Sequence, residues 1–232
     1  MSIFLRQAYA VFRKDVRSET RGWDSLLIMT VFALLVLVVF NFAFEPAGDT
    51  RTAVAPGVLW TAFVFAGILG LERSFAQERE EGCLLGLLVA PLDRGALFLG
   101  KWAASFLFMF AMELLILPVF VVFFNAPVGN WLLALIGVAA LGTAGFCAAG
   151  TVLSAVAGQT VARHLLLPIV LLPLIVPVLI AAVEATALLL AAGMGADGGA
   201  AVGLGSWLRL LAAFAIVYLV LGLLLFGRAI GE

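Results

Sequence analysis

The residues best able to do chemistry in this 232-residue chain are gathered in one polar stretch and otherwise occur singly. The stretch runs from Glu72 to Lys101, ERSFAQEREEGCLLGLLVAPLDRGALFLGK, and holds nine charged residues. Its order has a grammar. Charged residues, among them Glu72, Arg73, Glu80 and Glu81, lead to Gly82, an apolar set of Leu84, Leu85 and Leu88 follows, and Pro91 ends it. This predicts a short surface helix whose apolar knobs are rimmed by charge, the mark of an interaction site at the headgroup layer or on another protein.

The isolated candidates lie in apolar surroundings. Glu113 falls near the middle of one apolar run and Glu184 late in another, where an ionised side chain costs on the order of 2.5 to 3.5 kcal/mol. Such residues are functional candidates by default, although Glu113 could equally be protonated and hydrogen-bonded or face a cavity. The run that holds Glu184 also carries Pro168, Pro173 and Pro177, which leaves open whether it is one continuous helix or a broken one whose far part is external or re-entrant. His164, the single histidine, has no partner imidazole and reads as a boundary residue, not a metal or haem ligand. Cys83 and Cys147 fall at different depths and are not expected to pair. There is no C-x-x-C-H attachment signature, so no cofactor is held covalently. The chain has no G-x-x-x-x-G-K-[ST], G-x-S-x-G or H-E-x-x-H motif. It therefore has no engine of its own and no catalytic residues are expected; work against a gradient would draw energy from elsewhere.

The elements that must position these residues follow from composition. The sequence is 65% hydrophobic and 12% charged with a mean hydropathy of +1.21, far from the roughly 45 to 50% apolar and 25% charged usage of soluble domains. Six apolar runs, each with at most one charged residue, approach or exceed the roughly 20 residues that span a bilayer: Ser25 to Phe44, Val54 to Leu71, Trp102 to Phe124, Trp131 to Ala157, Leu165 to Leu190 and Ser206 to Gly227. Each must be helical, because backbone polar groups in hydrocarbon need partners within their own segment. The fold class is an all-α integral membrane protein, one domain over residues 1–232.

Of the 13 Lys and Arg residues, 11 fall on one side of the six runs, which makes that side, with both termini, cytoplasmic. Trp23, Trp102, Trp131 and Trp207 stand at predicted span ends, as interfacial indoles do, and Trp60 lies inside the second run. Residues 1–22 place Phe4, Ala8, Val11, Phe12 and Val16 at helical spacing against Arg6, Arg13, Lys14 and Arg17, which predicts a helix in the cytoplasmic interface. Ala191 to Gly205 is expected to be a flexible external loop. Ala140, Ala144 and Ala148, with Gly145 and Ala149 beside them, form a small-residue stripe that lets helices approach closely, within the chain or against a second protomer. A net charge of -1 gives no basic field that would recruit nucleic acid.

An N-terminal interfacial helix, six spans and a cytoplasmic segment E-E-G-x-L-x-x-L-L-x-x-P, here Glu80 to Pro91, resemble the permease subunits of ABC-2 type exporters. More specifically, APGVLWTAFVFAGILGLERSF at Ala55 to Phe75 and LPLIVPVLI at Leu172 to Ile180 resemble the CcmB family, the haem exporter protein B of cytochrome c maturation. The resemblance implies a non-catalytic membrane subunit in the bacterial cytoplasmic (inner) membrane. Its partners would be a separate CcmA-like ATPase that binds the ATP, CcmC-like and CcmD-like membrane proteins, a CcmE-like haem chaperone and a second permease protomer. Haem would be the handled ligand. It further implies that residues 72–101, with Glu72, Arg73, Glu81, Gly82 and Pro91, form the ATPase-facing coupling region, and that Pro173 and Pro177 shape the fifth span. The alternatives are an ABC-2 permease for a lipid or another amphipathic substrate, and a membrane scaffold that transports nothing.

Overall fold

A computed structural model of the chain describes residues 3–44, 49–80, 93–126, 129, 131–157, 163–193 and 200–229. They form seven α-helices in the order α1 (Ile3–Gly22), α2 (Asp24–Ala43), α3 (Asp49–Glu80), α4 (Arg94–Phe123), α5 (Trp131–Ala157), α6 (Arg163–Gly193) and α7 (Ala200–Ala229). The last six each contain a stretch long and apolar enough to cross a bilayer.

Their packing follows residue size. In α5, whose small residues let neighbours approach, Ala139, Ala148 and Ala149 are buried and the helix packs on α3, α4, α6 and α7. At Gly145 an added Cβ would come within 3.5 Å of the Ala215 backbone of α7. The small-residue stripe thus acts within the chain. Around this centre, α2 packs on α3 and α4, and α1 packs on α4. The outer surface is apolar instead of charged: Phe42, Val122, Leu133, Ile169, Ile216 and Leu224 are all exposed. Such a belt suits hydrocarbon and would be an aggregation surface in water.

Three expectations change on contact with the structure. Residues 72–101 are not all connector, because α3 continues to Glu80 and α4 begins at Arg94; residues 81–92, where the short surface helix is expected, lie outside the described residues. The sequence around Glu78 to Glu80 is strongly helix-forming, and Asp93 caps α4 by accepting from the Gly95 backbone N–H at 2.8 Å. Trp102 consequently sits a third of the way along α4, not at a span end, and donates to the Ala144 carbonyl at 3.0 Å. The run Ala191 to Gly205 is helical at both ends, since α6 reaches Gly193 and α7 starts at Ala200, as its alanines favour; residues 194–199 lie outside the described residues.

The structure decides between the two readings of α6. The helix runs unbroken through Pro168, Pro173 and Pro177. A proline inside a membrane helix is tolerated when neighbouring helices supply partners for freed backbone groups. The Tyr218 hydroxyl of α7 donates to the Leu174 carbonyl at 2.9 Å and ties this stretch of α6 to its neighbour. With no break, Glu184 remains on the same helix, on its exposed face between the buried pairs Ala181, Ala182 and Ala185, Thr186.

Candidate functional site

Polar residues inside the bundle are few, and they are placed against one another. Glu113 of α4 is fully buried, and the Thr143 hydroxyl of α5 donates to its Oε1 at 2.5 Å. Oε2 has no partner among the described residues. One turn along the same two helices, the Cys147 thiol lies 3.8 Å from the Met109 sulfur. On α5, Thr143, Cys147, Thr151 and Ser154 are spaced i, i+4, i+8 and i+11 and are all buried, so one face of the central helix carries a polar seam. Among these, the hydroxyls of Thr151 and Ser154 have no partner among the described residues.

A second buried polar bridge joins α3 to α6. Trp60 is 3% exposed, and its indole N–H donates to the Thr186 hydroxyl at 2.9 Å while that hydroxyl donates to the Ala182 carbonyl at 2.7 Å. The Trp60 ring lies over Gly142, where an added Cβ would come within 2.7 Å of the indole. Glycine is therefore required at 142 by close approach, and Trp60 touches the residue adjacent to Thr143. Helices α3, α5 and α6 meet at one indole.

The third cluster lies at the arginine-rich end. Glu19 of α1, 9% exposed, accepts from both the backbone N–H and the hydroxyl of Ser25, at 2.7 and 2.9 Å. The turn between them places Trp23 in the left-handed region at φ 56°, an uncommon conformation for a bulky residue. Arg73 of α3 pairs with Asp24 of α2 at 2.8 Å. Lys101 of α4, 3% exposed, lies 3.7 Å from Asp15 of α1, which also meets Lys14 at 3.1 Å. Gly100 faces α1 so closely that a Cβ would lie 2.7 Å from the Ala8 carbonyl oxygen. The backbone N–H of Asp93 donates to the Gln7 side chain at 3.2 Å. Helix α1 is thus fastened to α4, and through the α1–α2 turn to the end of α3. Between these elements opens a small cleft of about 40 Å³ lined by Asp15, Glu19, Ser25, Ser74 and Ser105, and by Met109 and Cys147 at the seam.

The residues singled out in the sequence separate into three groups. Glu72 and Arg73 stand on the last turns of α3, and Glu80 ends that helix. Glu81, Gly82, Leu84, Leu85, Leu88 and Pro91, with Cys83, lie outside the described residues. Glu113 is at the seam, whereas Pro173, Pro177 and Glu184 are on α6, Glu184 facing away from the bundle. Trp60, Thr143 and Thr186 were missed as members of a site. The available signal was a polar atom inside an apolar run, which needs a partner from another helix. No group of three or more His, Cys, Asp or Glu able to hold a metal ion occurs among the described residues.

A family model described as CcmB protein matches residues 6–231. The chain belongs to the CcmB family. Among its relatives, each named heme exporter protein B, the Paracoccus denitrificans protein is 32% identical over 136 residues, 57% of this chain and 62% of the relative. The Rhodobacter capsulatus protein is 30% identical over 123 residues, 53% and 56% of the two chains. The Escherichia coli K12 protein is 30% identical over 99 residues, 43% and 45%. The chain spans about half the length of the curated relatives it matches. In this CcmB-family chain, the segment Ala55 to Phe75 is the buried part of α3 that carries Trp60, and Leu172 to Ile180 is the part of α6 that carries Pro173 and Pro177.

Proposed function

We propose that this chain is the non-catalytic transmembrane subunit of an ABC complex for cytochrome c biogenesis, in which a separate ATPase drives haem export or the release of a haem-loaded chaperone. The single observation that carries the reading is the CcmB family match over residues 6–231, which agrees with six helices long and apolar enough to cross a membrane. The names of the relatives supply haem as the handled substrate.

In this reading the coupling region is the end of α3 with segment 81–92. Helix α3 has 32 residues, about 48 Å at 1.5 Å per residue, so a push at Glu72 to Glu80 reaches the far side of the bilayer through one rigid element. Trp60 is where that element grips α5 and α6. Closure of paired ATPases would move α3, and the indole would carry the motion to the Glu113–Thr143 seam and to the proline-bearing helix. Interfaces packed this tightly respond by switching between discrete arrangements instead of stretching. Glu113, Pro173, Pro177 and Glu184 are the intramembrane candidates of this cycle.

The test is the state of the haem chaperone. In membranes from cells lacking the chain, the CcmE-like chaperone should be haem-loaded yet remain bound to its CcmC-like donor, and the chain should restore release together with ATP hydrolysis by the partner ATPase. Normal release without the chain would overturn the reading.

A further inference from the structure

We propose that the outward face of α1 is a binding surface for anionic lipid headgroups, specific to the leaflet on the arginine-rich side. Arg6, Arg13 and Arg17 are spaced i, i+7 and i+11, which places them in one row on the helix. All three are exposed, and no ion pair among the described residues involves them. The neighbouring cations differ, since Lys14 and Lys101 meet Asp15 and Arg73 meets Asp24. The arginine row is set apart as uncommitted charge.

Beside it runs a second row at i, i+4, i+7 and i+11: Leu5, Tyr9, Phe12 and Val16. Leu5 is 50% and Tyr9 57% exposed, and the Tyr9 and Phe12 rings are 6.4 Å apart. An apolar and aromatic row flanked by arginines is the arrangement that seats a helix at the boundary of acyl chains and phosphates. Helix α1 cannot turn this face elsewhere. Its opposite face is fixed by Val11 and Ala8 against Gly100 and by Asp15 toward Lys101. An arginine guanidinium beside headgroups binds phosphate through paired N–H donors. Each such cation adds on the order of 1 kcal/mol of attraction to an anionic leaflet.

The full chain is reconstituted in nanodiscs of mixed phosphatidylglycerol and phosphatidylcholine, and the lipids that stay bound are counted by native mass spectrometry. The wild-type chain is expected to retain phosphatidylglycerol several-fold over phosphatidylcholine. The triple variant Arg6→Gln, Arg13→Gln, Arg17→Gln should fall to parity, while Lys14 and Arg21 keep positive charge beside the first span. Arg209→Gln, on the other side of the membrane, should change nothing, and a triple Arg→Lys variant should keep most of the preference. Should the glutamine variant fail to fold, salt reads the same property in the wild type. Raising it from about 0.1 M to about 1 M shortens the screening length from about 10 Å to about 3 Å and should abolish the preference. Equal retention of both lipids by the wild type, a preference that survives in the glutamine variant, or one indifferent to salt would overturn the proposal. So would loss of a co-purifying soluble protein from the glutamine variant with no change in lipid, which would assign the face to a protein.

Discussion

The Thr143 hydroxyl of α5 and the Glu113 carboxyl of α4 meet at 2.5 Å inside a bundle where neither is reached by solvent. Thr143→Val leaves a buried carboxyl without its partner, at a cost of about 1 to 3 kcal/mol. Thr151→Val, one face and two turns away, removes a hydroxyl that has no partner among the described residues and should stay within about 0.5 kcal/mol of wild type. Unfolding of both variants in mixed detergent and SDS micelles measures the difference. Equal losses would mean that the Glu113 bond contributes nothing particular.

Glu113→Gln keeps an acceptor for Thr143 and should fold as wild type does. Membrane hydrogen bonds average about 0.6 kcal/mol and reach about 1.7, so the coupling between Glu113→Ala and Thr143→Val in a double-mutant cycle should fall in that range. A value near zero would contradict the geometry.

Trp60 and Gly142 are complementary in size. Gly142→Leu drives a side chain into the indole and should destabilise by about 1 to 3 kcal/mol or more. Adding Trp60→Leu makes room and should recover part of the loss, though it leaves Thr186 without its indole donor. Trp60→Phe removes that donor together with part of the buried ring and should cost more than the about 1 kcal/mol of the hydrogen bond alone. Thermal midpoints in detergent check the order, and failure of the second-site change to improve on Gly142→Leu alone would place the clash elsewhere.

At the arginine-rich end, Gly100→Val must push α1 away from α4, because the Ala8 carbonyl in its path is backbone and cannot rotate aside. A loss of about 1 to 3 kcal/mol is expected, and trimming Val11 to Ala should not restore it. The Arg73–Asp24 pair is different, with side chains 41% and 64% exposed. Arg73→Gln should alter stability by less than about 1 kcal/mol. If Arg73 also serves coupling, it should lower partner ATPase stimulation far more than it lowers the midpoint.

Much of this arrangement could be read from the chain because the bilayer permits few solutions. Apolar runs marked five of the six spans to within a few residues, as with Trp131 at the start of α5, while α4 begins eight residues before the expected Trp102, and the alanine stripe on α5 located a face that packs within the chain. Pro173 and Pro177 left the continuity of α6 open, since a local backbone rule competes with support from neighbouring helices, and the chain keeps one unbroken helix. Glu113 stood out as an acid in an apolar run, but Thr143 and Trp60 did not. Their roles depend on which helices touch, and periodicity within one helix does not specify its neighbour. The same holds for Arg73, whose place near the proposed coupling region suggested a partner protein, although its nearest acid is Asp24 of the same chain.

The measurement that bears most directly on the account is the level of mature c-type cytochrome, read by haem staining of membrane and periplasmic proteins, in cells from which this chain alone has been deleted. Cytochrome c with covalent haem should disappear while the apocytochromes are still made, and the wild-type chain should restore it. Mature cytochrome c at undiminished levels in the deleted cells would contradict the account.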